Sequence, residues 1–325
     1  MEQDLQQLQD LKQKALSGQP ICKEEALALT AFPLDDLCAA ADEIRRHFCE
    51  NKFDLCTIVN GKSGKCTENC KYCAQSSFYQ TDVDAYPLLG TKELTQHARY
   101  NHSRGVPRYS IVTSGRRLNS QEVQQACESI RAIKDDMELS ICASFGLLEE
   151  ADFQKLKEAG VVRIHNNLEA SARYFPNVCT THTLEDKIHS IKAAQNAGLE
   201  VCSGGIMGLG ERMEDRIDLA ITLRELGIQS IPINMLNPIP NTPYEHNPRL
   251  TDHEMCQIIA IFRFLLPTSF IRLAGGRGLM ADQGRKCFLS GANAAITGDM
   301  LTTTGITIQR DMEMLRELGY QINRP

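Results

Sequence analysis

The sequence predicts an α/β chain folded as a parallel (β/α)8 barrel of the TIM type, preceded by an N-terminal helical extension. Three observations carry that expectation. Eight short runs rich in β-branched residues alternate with charged stretches of helical period. The alternation occupies ~250 residues, the size of such a barrel. No low-complexity linker divides it, so one barrel over residues 51–325 behind an extension at 1–50 is expected. A doubly wound open sheet shares the same alternation and stays as the alternative. It loses support because the chain has no Walker A sequence and its glycines at 204–210 do not fit G-x-G-x-x-G.

In chain order, ICKEEALALTAF and LDDLCAAADEIRRHF place apolar residues at helical spacing in the extension. The strand candidates are FDLCTIV (53–59), RYSIVT (108–113), ELSICAS (138–144), VVRIHNNL (161–168), EVCSGGI (200–206), SIPINML (230–236), FIRLA (270–274) and NAAIT (293–297). Between them, EADFQKLKEAG, LEDKIHSIKAAQNAG and RIDLAITLRELG read as helices. They end at Gly160, Gly198 and Gly227, which suit left-handed C-caps.

Composition narrows the function. Lys and Arg total 35 against 41 Asp and Glu, a net charge of −6, so no basic face for nucleic acid is expected. No apolar run reaches ~18 residues, which argues against a membrane span. The start, MEQDLQQLQDLKQKALSG, lacks the apolar core of an export signal, and a cytoplasmic enzyme is expected. The chain has 13 cysteines, an odd number that fits a disulfide framework poorly. Reduced thiols are either packing residues or soft-metal ligands.

Cys66, Cys70 and Cys73 lie in GKCTENCKYCAQSS, a C-x3-C-x2-C spacing directly after the first strand candidate. Three thiolates on one short loop can converge on one centre. A mononuclear zinc site would want a fourth Cys or His, and the His residues lie far along the chain. A four-iron cube on three thiolates instead keeps one iron open to a ligand. Ala74 rather than His follows Cys73, which excludes c-type haem. A zinc-stapled binding protein without catalysis remains the non-enzyme alternative.

The triplet with Tyr72 as its aromatic resembles the signature of the radical S-adenosylmethionine (SAM) enzymes. That resemblance implies a 4Fe-4S cluster on Cys66, Cys70 and Cys73 that binds SAM and cleaves it to a 5′-deoxyadenosyl radical. VNGKSGKC, CKYCAQSS, VCSGGIMGLGE, IPINMLNPIPNTP and LPTSFIRLAGGR further resemble the biotin synthase family, over about residues 40 to 320. The family's reaction removes hydrogens from C9 and C6 of dethiobiotin and inserts sulfur from an auxiliary iron–sulfur cluster. The hydrogenase maturase and the methylornithine synthase are the rival enzyme readings.

The resemblance implies auxiliary ligands at Cys142, Cys202 and Arg272, but the family's remaining cysteine position is Ser110 here. A hydroxyl is a poor iron ligand beside thiolates, which weakens a 2Fe-2S assignment. Cys56 is the candidate replacement. By strand count Cys56, Cys142, Cys202 and Arg272 fall on strands one, three, five and seven, and alternate strands share a barrel layer. An ordinary core thiol is the alternative for Cys56. Three thiols suit a cube with one open iron, and a 4Fe-5S auxiliary cluster is favoured.

Other roles follow from the resemblance. Asn167 and Glu169 match positions that bond the SAM ribose, and Tyr72 packs near the adenine. Gly204-x-Ile206-x-Gly208-x-x-Glu211 matches an adenine-side motif whose glycines let the ligand approach the backbone. Lys187 stands where an Arg usually faces the SAM carboxylate. Thr113 is placed near the methionine portion of SAM. Asn234 and Asn167 offer a donor and an acceptor each to the dethiobiotin urea. Lys62 and Arg108 are further charges near the clusters. His165, in place of a more usual Asn, either tunes the auxiliary site or is a satisfied core histidine, the latter slightly favoured. Cys22, Cys38, Cys127, Cys256 and Cys287 read as packing, and Cys49 and Cys179 have no assignment. A flavodoxin or ferredoxin reductant and a homodimer are implied by analogy.

Overall fold

The computed structural model describes residues 2–303 and 305–323, without the side chains of residues 2–4. Helices α1 (Glu2–Leu16), α2 (Lys23–Ala28) and α3 (Leu34–Cys49) form the N-terminal extension. Strand β1 (Lys52–Lys62) follows. Then come α4 (Thr91–His102), β2 (Arg108–Thr113), α5 (Ser120–Asp136), β3 (Ser140–Ser144), α6 (Glu150–Glu158) and β4 (Val161–His165). The second half runs α7 (Leu184–Asn196), β5 (Glu200–Cys202), β6 (Gly205–Met207), α8 (Met213–Glu225), β7 (Ser230–Met235), α9 (Asp252–Leu265) and β8 (Phe270–Leu273). It ends with α10 (Arg285–Phe288), β9 (Ala294–Thr297), α11 (Ile308–Glu317) and β10 (Gln321–Ile322).

All strand pairings of the sheet are parallel, and β9 pairs back onto β1 through Asp54↔Ala294 to Thr57↔Thr297. That pairing closes the barrel, as expected, and excludes the open sheet. Each strand candidate becomes a barrel strand, with β5 and β6 together occupying the fifth position. Strand β10 adds outside the barrel at the start of β1. Gly160, Gly198 and Gly227 have φ of 108°, 74° and 69°, the left-handed geometry expected of helix ends.

EVCSGGI was expected as one strand but is interrupted at Ser203 and Gly204. The cause lies in its neighbour. Pro232 of β7 stands opposite the break and has no N–H for the ladder. Its carbonyl approaches so closely that a Cβ on Gly204 would sit 1.9 Å from the oxygen. The strand bends there and pairs again at Gly205↔Ile233.

The helices pack around the barrel over one continuous apolar core. In the extension, α1 and α3 lie against α9 while α2 lies against α8. Among the described residues no helix is long and apolar enough to cross a membrane.

Candidate active site

Two floors of the barrel interior carry the chemistry. The lower floor is ionic. Asp54 in β1 receives Arg163 Nη1 and Arg272 Nη2 at 2.7 Å each and Arg108 Nε at 3.3 Å. Burial would raise the Asp54 carboxyl, but Arg272, Arg108 and Arg163 outweigh it and hold the group well below the usual carboxylate range. Glu200 takes a second contact from Arg163. Three guanidinia therefore face two carboxylates, one of them largely exposed, which leaves the interior positively charged.

Above Asp54, two residues along the same strand and on the same face, stands Cys56. Cys56 and Cys142 of β3, with β2 between their strands, are both fully buried. Cys56 Sγ donates to the Thr57 carbonyl at 3.2 Å, and Cys142 with burial pushes the Cys56 thiol up. Arg108 Nη1 approaches Cys142 Sγ at 3.6 Å. Burial opposes ionisation of Cys142, yet Cys56, His165 and Arg108 together draw it well below an ordinary thiol. Cys202 of β5 is also buried and accepts a hydrogen bond from Ser230 Oγ at 3.2 Å.

The polar atoms around these thiols are left without partners. His165 Nε2, Ser110 Oγ, Ser203 Oγ and Arg272 Nε are all buried and unbonded. The unpartnered Nε2 does not suit the satisfied-core reading of His165 and leaves the auxiliary-site reading standing. Such orphans are costly unless something fills the space. An anionic centre on thiolates meets both the orphan donors and the surplus positive charge, so these residues fit an iron–sulfur cluster. Ser110 stands beside Cys142 in register but offers only a hydroxyl.

A cavity of about 430 Å³ opens above this interior, lined by Cys66, Cys70 and Cys73 on one side and Cys202 and Arg272 below. The cysteine loop folds back on itself: Cys66 N–H donates to Gln75 O, and Ser77 N–H donates to Cys66 O. Backbone closure of this kind presents the three thiols to one cavity, as the sequence spacing requires.

Glu169 follows β4 in a left-handed conformation (φ 71°), with its N–H on Gly204 O and its carbonyl accepting from Ile206 N–H. A Cβ on Gly205 would come within 2.6 Å of that carbonyl. Close contact between chain segments leaves no room for a Cβ at Gly204 or Gly205. Gly208 (φ 97°) donates its N–H to Glu211, which also pairs with Arg216 at 2.6 Å. Glu211 is a structural brace in that motif.

The Glu169 side chain is buried and aimed at the cavity with Oε2 unpartnered. Burial raises its pKa, offset in part by Lys187, Tyr72 and Asn167. Lys187, Asn167 and Thr113 all line the cavity. Tyr72 packs with Ile206, Val178 and Leu236 in a small apolar cluster beside it. A buried carboxylate and an apolar patch thus stand side by side at the cavity.

Asn234 also lines the cavity, but its Oδ1 accepts from Gly275 N–H at 2.8 Å and its Nδ2 donates to Gly205 O at 3.2 Å. Backbone groups therefore occupy one side of each function, leaving one N–H and one lone pair for a substrate. Lys62 is paired with Glu122 at 2.6 Å.

The sequence reading missed Asp54, Arg163, Cys179 and His182. A usable signal existed for the first two: one Asp and three Arg interrupt otherwise apolar strand runs. It had none for the others. His182, far along the chain from the triplet, and the unassigned Cys179 both fold against Cys70, so sequence distance does not exclude a nearby nitrogen.

A closed parallel barrel whose cavity is lined by a three-thiol loop defines a radical SAM enzyme. The family model described as Radical SAM superfamily matches residues 62–223, and that of the Biotin and Thiamin Synthesis associated domain matches 232–321. The chain belongs to the biotin synthase family. It is 58% identical over 97% of its length to biotin synthase of Brachyspira hyodysenteriae, covering 95% of that protein. It is 57% identical to that of Akkermansia muciniphila, covering 96% and 97% of the two chains. Among solved structures, a methylornithine synthase superposes with TM-score 0.83 at 17% identity, covering 97% of each chain. The FeFe-hydrogenase maturase from Carboxydothermus hydrogenoformans gives 0.80 at 16%, covering 97% of this chain and 79% of that one. At such identities the likeness is one of fold.

Proposed function

We propose that the chain converts dethiobiotin to biotin, with a 4Fe-4S cluster on Cys66, Cys70 and Cys73 and an auxiliary cluster on Cys56, Cys142, Cys202 and Arg272. When bound, the clusters supply the electron that cleaves SAM to the hydrogen-abstracting 5′-deoxyadenosyl radical and the sulfur inserted between C6 and C9. The protein's part is positioning. Glu169 and Asn167 receive the ribose hydroxyls, Tyr72 and Ile206 flank the adenine, and Lys187 and Thr113 attend the methionine end. Asn234 offers its remaining donor and acceptor to the urea ring. The cavity is lined by Cys66, Cys70 and Cys73 together with Cys202 and Arg272, which supports hydrogen abstraction and sulfur insertion without substrate transfer.

The observation that carries the auxiliary reading is the buried set of thiols above a positively charged floor, ringed by orphan polar atoms. Cys56, in reach of Cys142, favours a 4Fe-5S cluster over 2Fe-2S because Ser110 supplies no thiolate. Iron and acid-labile sulfide quantitation on anaerobically reconstituted protein tests it. Two four-iron centres give about eight irons with excess sulfide, whereas a 2Fe-2S auxiliary centre gives about six. Cys56→Ala should remove the auxiliary cluster and spare the other; retention of both returns Cys56 to the core. The reading extends to a flavodoxin or ferredoxin as electron source, a homodimer and a cytoplasmic setting.

A further inference from the structure

We infer that Cys70, Cys179 and His182 form a binding site for a single soft divalent ion, zinc or ferrous iron, in the cluster-free protein. Among the described residues this is the one group of three Cys, His or acidic side chains whose ligand atoms all lie within 4.8 Å of one another. The segment before α7 delivers it. Lys71 N–H donates to Val178 O at 3.0 Å, and Asn69 Oδ1 accepts from Thr180 N–H at 2.9 Å. Those bonds clamp residues 178–182 onto the cysteine loop and set Cys179 beside Cys70.

The spacing suits one ion. Sulfur at ~2.3 Å and nitrogen at ~2.0–2.1 Å around a tetrahedral ion stand about 3.5–3.8 Å apart. Cys179 Sγ lies 3.3 Å from His182 Nδ1. A four-iron cube spans more space than an ion, and neither proposed cluster trio is gathered within that 4.8 Å limit. His182 is buried, with a side-chain exposure of 6%, and its Nε2 has no partner. Glu68 contacts the same Nδ1, so once the ion takes that nitrogen the carboxylate oxygen is placed to close the fourth position. On binding, the two thiols lose their protons to solvent and the ion exchanges water for two thiolates and an imidazole. Thiolate and imidazole select zinc and ferrous iron over magnesium or calcium.

The consequence rests on the reading of Cys70 as a cluster ligand: one thiol belongs to two sets, so a bound ion and the cube exclude each other. The ion holds the loop folded before assembly, and zinc at this position blocks cluster insertion.

Full-length protein, stripped of iron by anaerobic chelation, is titrated with cobalt(II). The inference predicts one cobalt per chain, with the visible bands and sulfur-to-metal charge transfer of a tetrahedral thiolate site. Cys179→Ser should abolish them, and a Cys66→Ala/Cys73→Ala double variant should retain them. Absence of the bands from the unmodified protein, or their loss in the double variant with retention in Cys179→Ser, overturns the site. In a second arm, zinc is added before iron and sulfide, and cube formation is followed by absorbance. Zinc should slow assembly in the unmodified protein and not in Cys179→Ser. If cobalt binding follows Cys179 while zinc leaves assembly untouched, the ion site stands and the placement of Cys70 in the cube falls.

Discussion

Replacing Asp54 with asparagine removes the carboxylate that three buried guanidinia share. Asparagine keeps the shape and one acceptor but not the charge. Asp54 is 1% exposed, so solvent cannot take its place. Removing one partner of a buried ion pair costs about 3–5 kcal/mol. The lower end is expected, since Arg163 retains Glu200 and Arg272 Nη1 retains the carbonyls of Asp54 and Ala295. The assay is urea unfolding of the cluster-free protein, unmodified and variant, at neutral and acid pH. Asp54 has a lower pKa folded than unfolded. Its contribution is therefore full above the unfolded value of ~3.9 and fades as pH falls through the folded one. The gap between the two midpoints should be wide at neutral pH and shrink on strong acidification. Loading the auxiliary cluster should also narrow it, since thiolates then neutralise the arginines. Equal midpoints at neutral pH, or a gap indifferent to acid, would refute the electrostatic reasoning.

Other predictions follow from the cavity and the interrupted strand. Glu169→Gln should weaken SAM binding by about 10–100-fold, the worth of hydrogen bonds to a charged group, measured by equilibrium dialysis on reconstituted protein; an unchanged affinity would remove Glu169 from the ribose. Gly204→Ala forces a methyl to 1.9 Å from the Pro232 carbonyl, so thermal unfolding should show a loss of about 1–3 kcal/mol or more. If the midpoint is unmoved, the steric account of that glycine is wrong.

The barrel was legible because its strands are compact β-branched runs and its helices end in left-handed glycines, both local signals. The break between β5 and β6 was not, since its cause is Pro232, about thirty residues further on. The cluster triplet was legible as a spacing, and Cys56 as a strand position. What escaped the sequence depends on the third dimension: Asp54 gathering arginines from three strands, and Cys179 with His182 reaching Cys70. At Gly204 the sequence could not separate its two demands, since a close contact between chain segments and a close contact with ligand leave the same mark.

The central claim is that one cavity couples SAM cleavage to sulfur insertion, and turnover tests it most directly. Anaerobically reconstituted protein is given dethiobiotin, SAM and a reductant, and biotin and 5′-deoxyadenosine are quantified together. Removal of one hydrogen from each of C9 and C6 predicts biotin formation with about two 5′-deoxyadenosines per biotin. Cleavage of SAM that proceeds without dethiobiotin-dependent biotin would contradict the account.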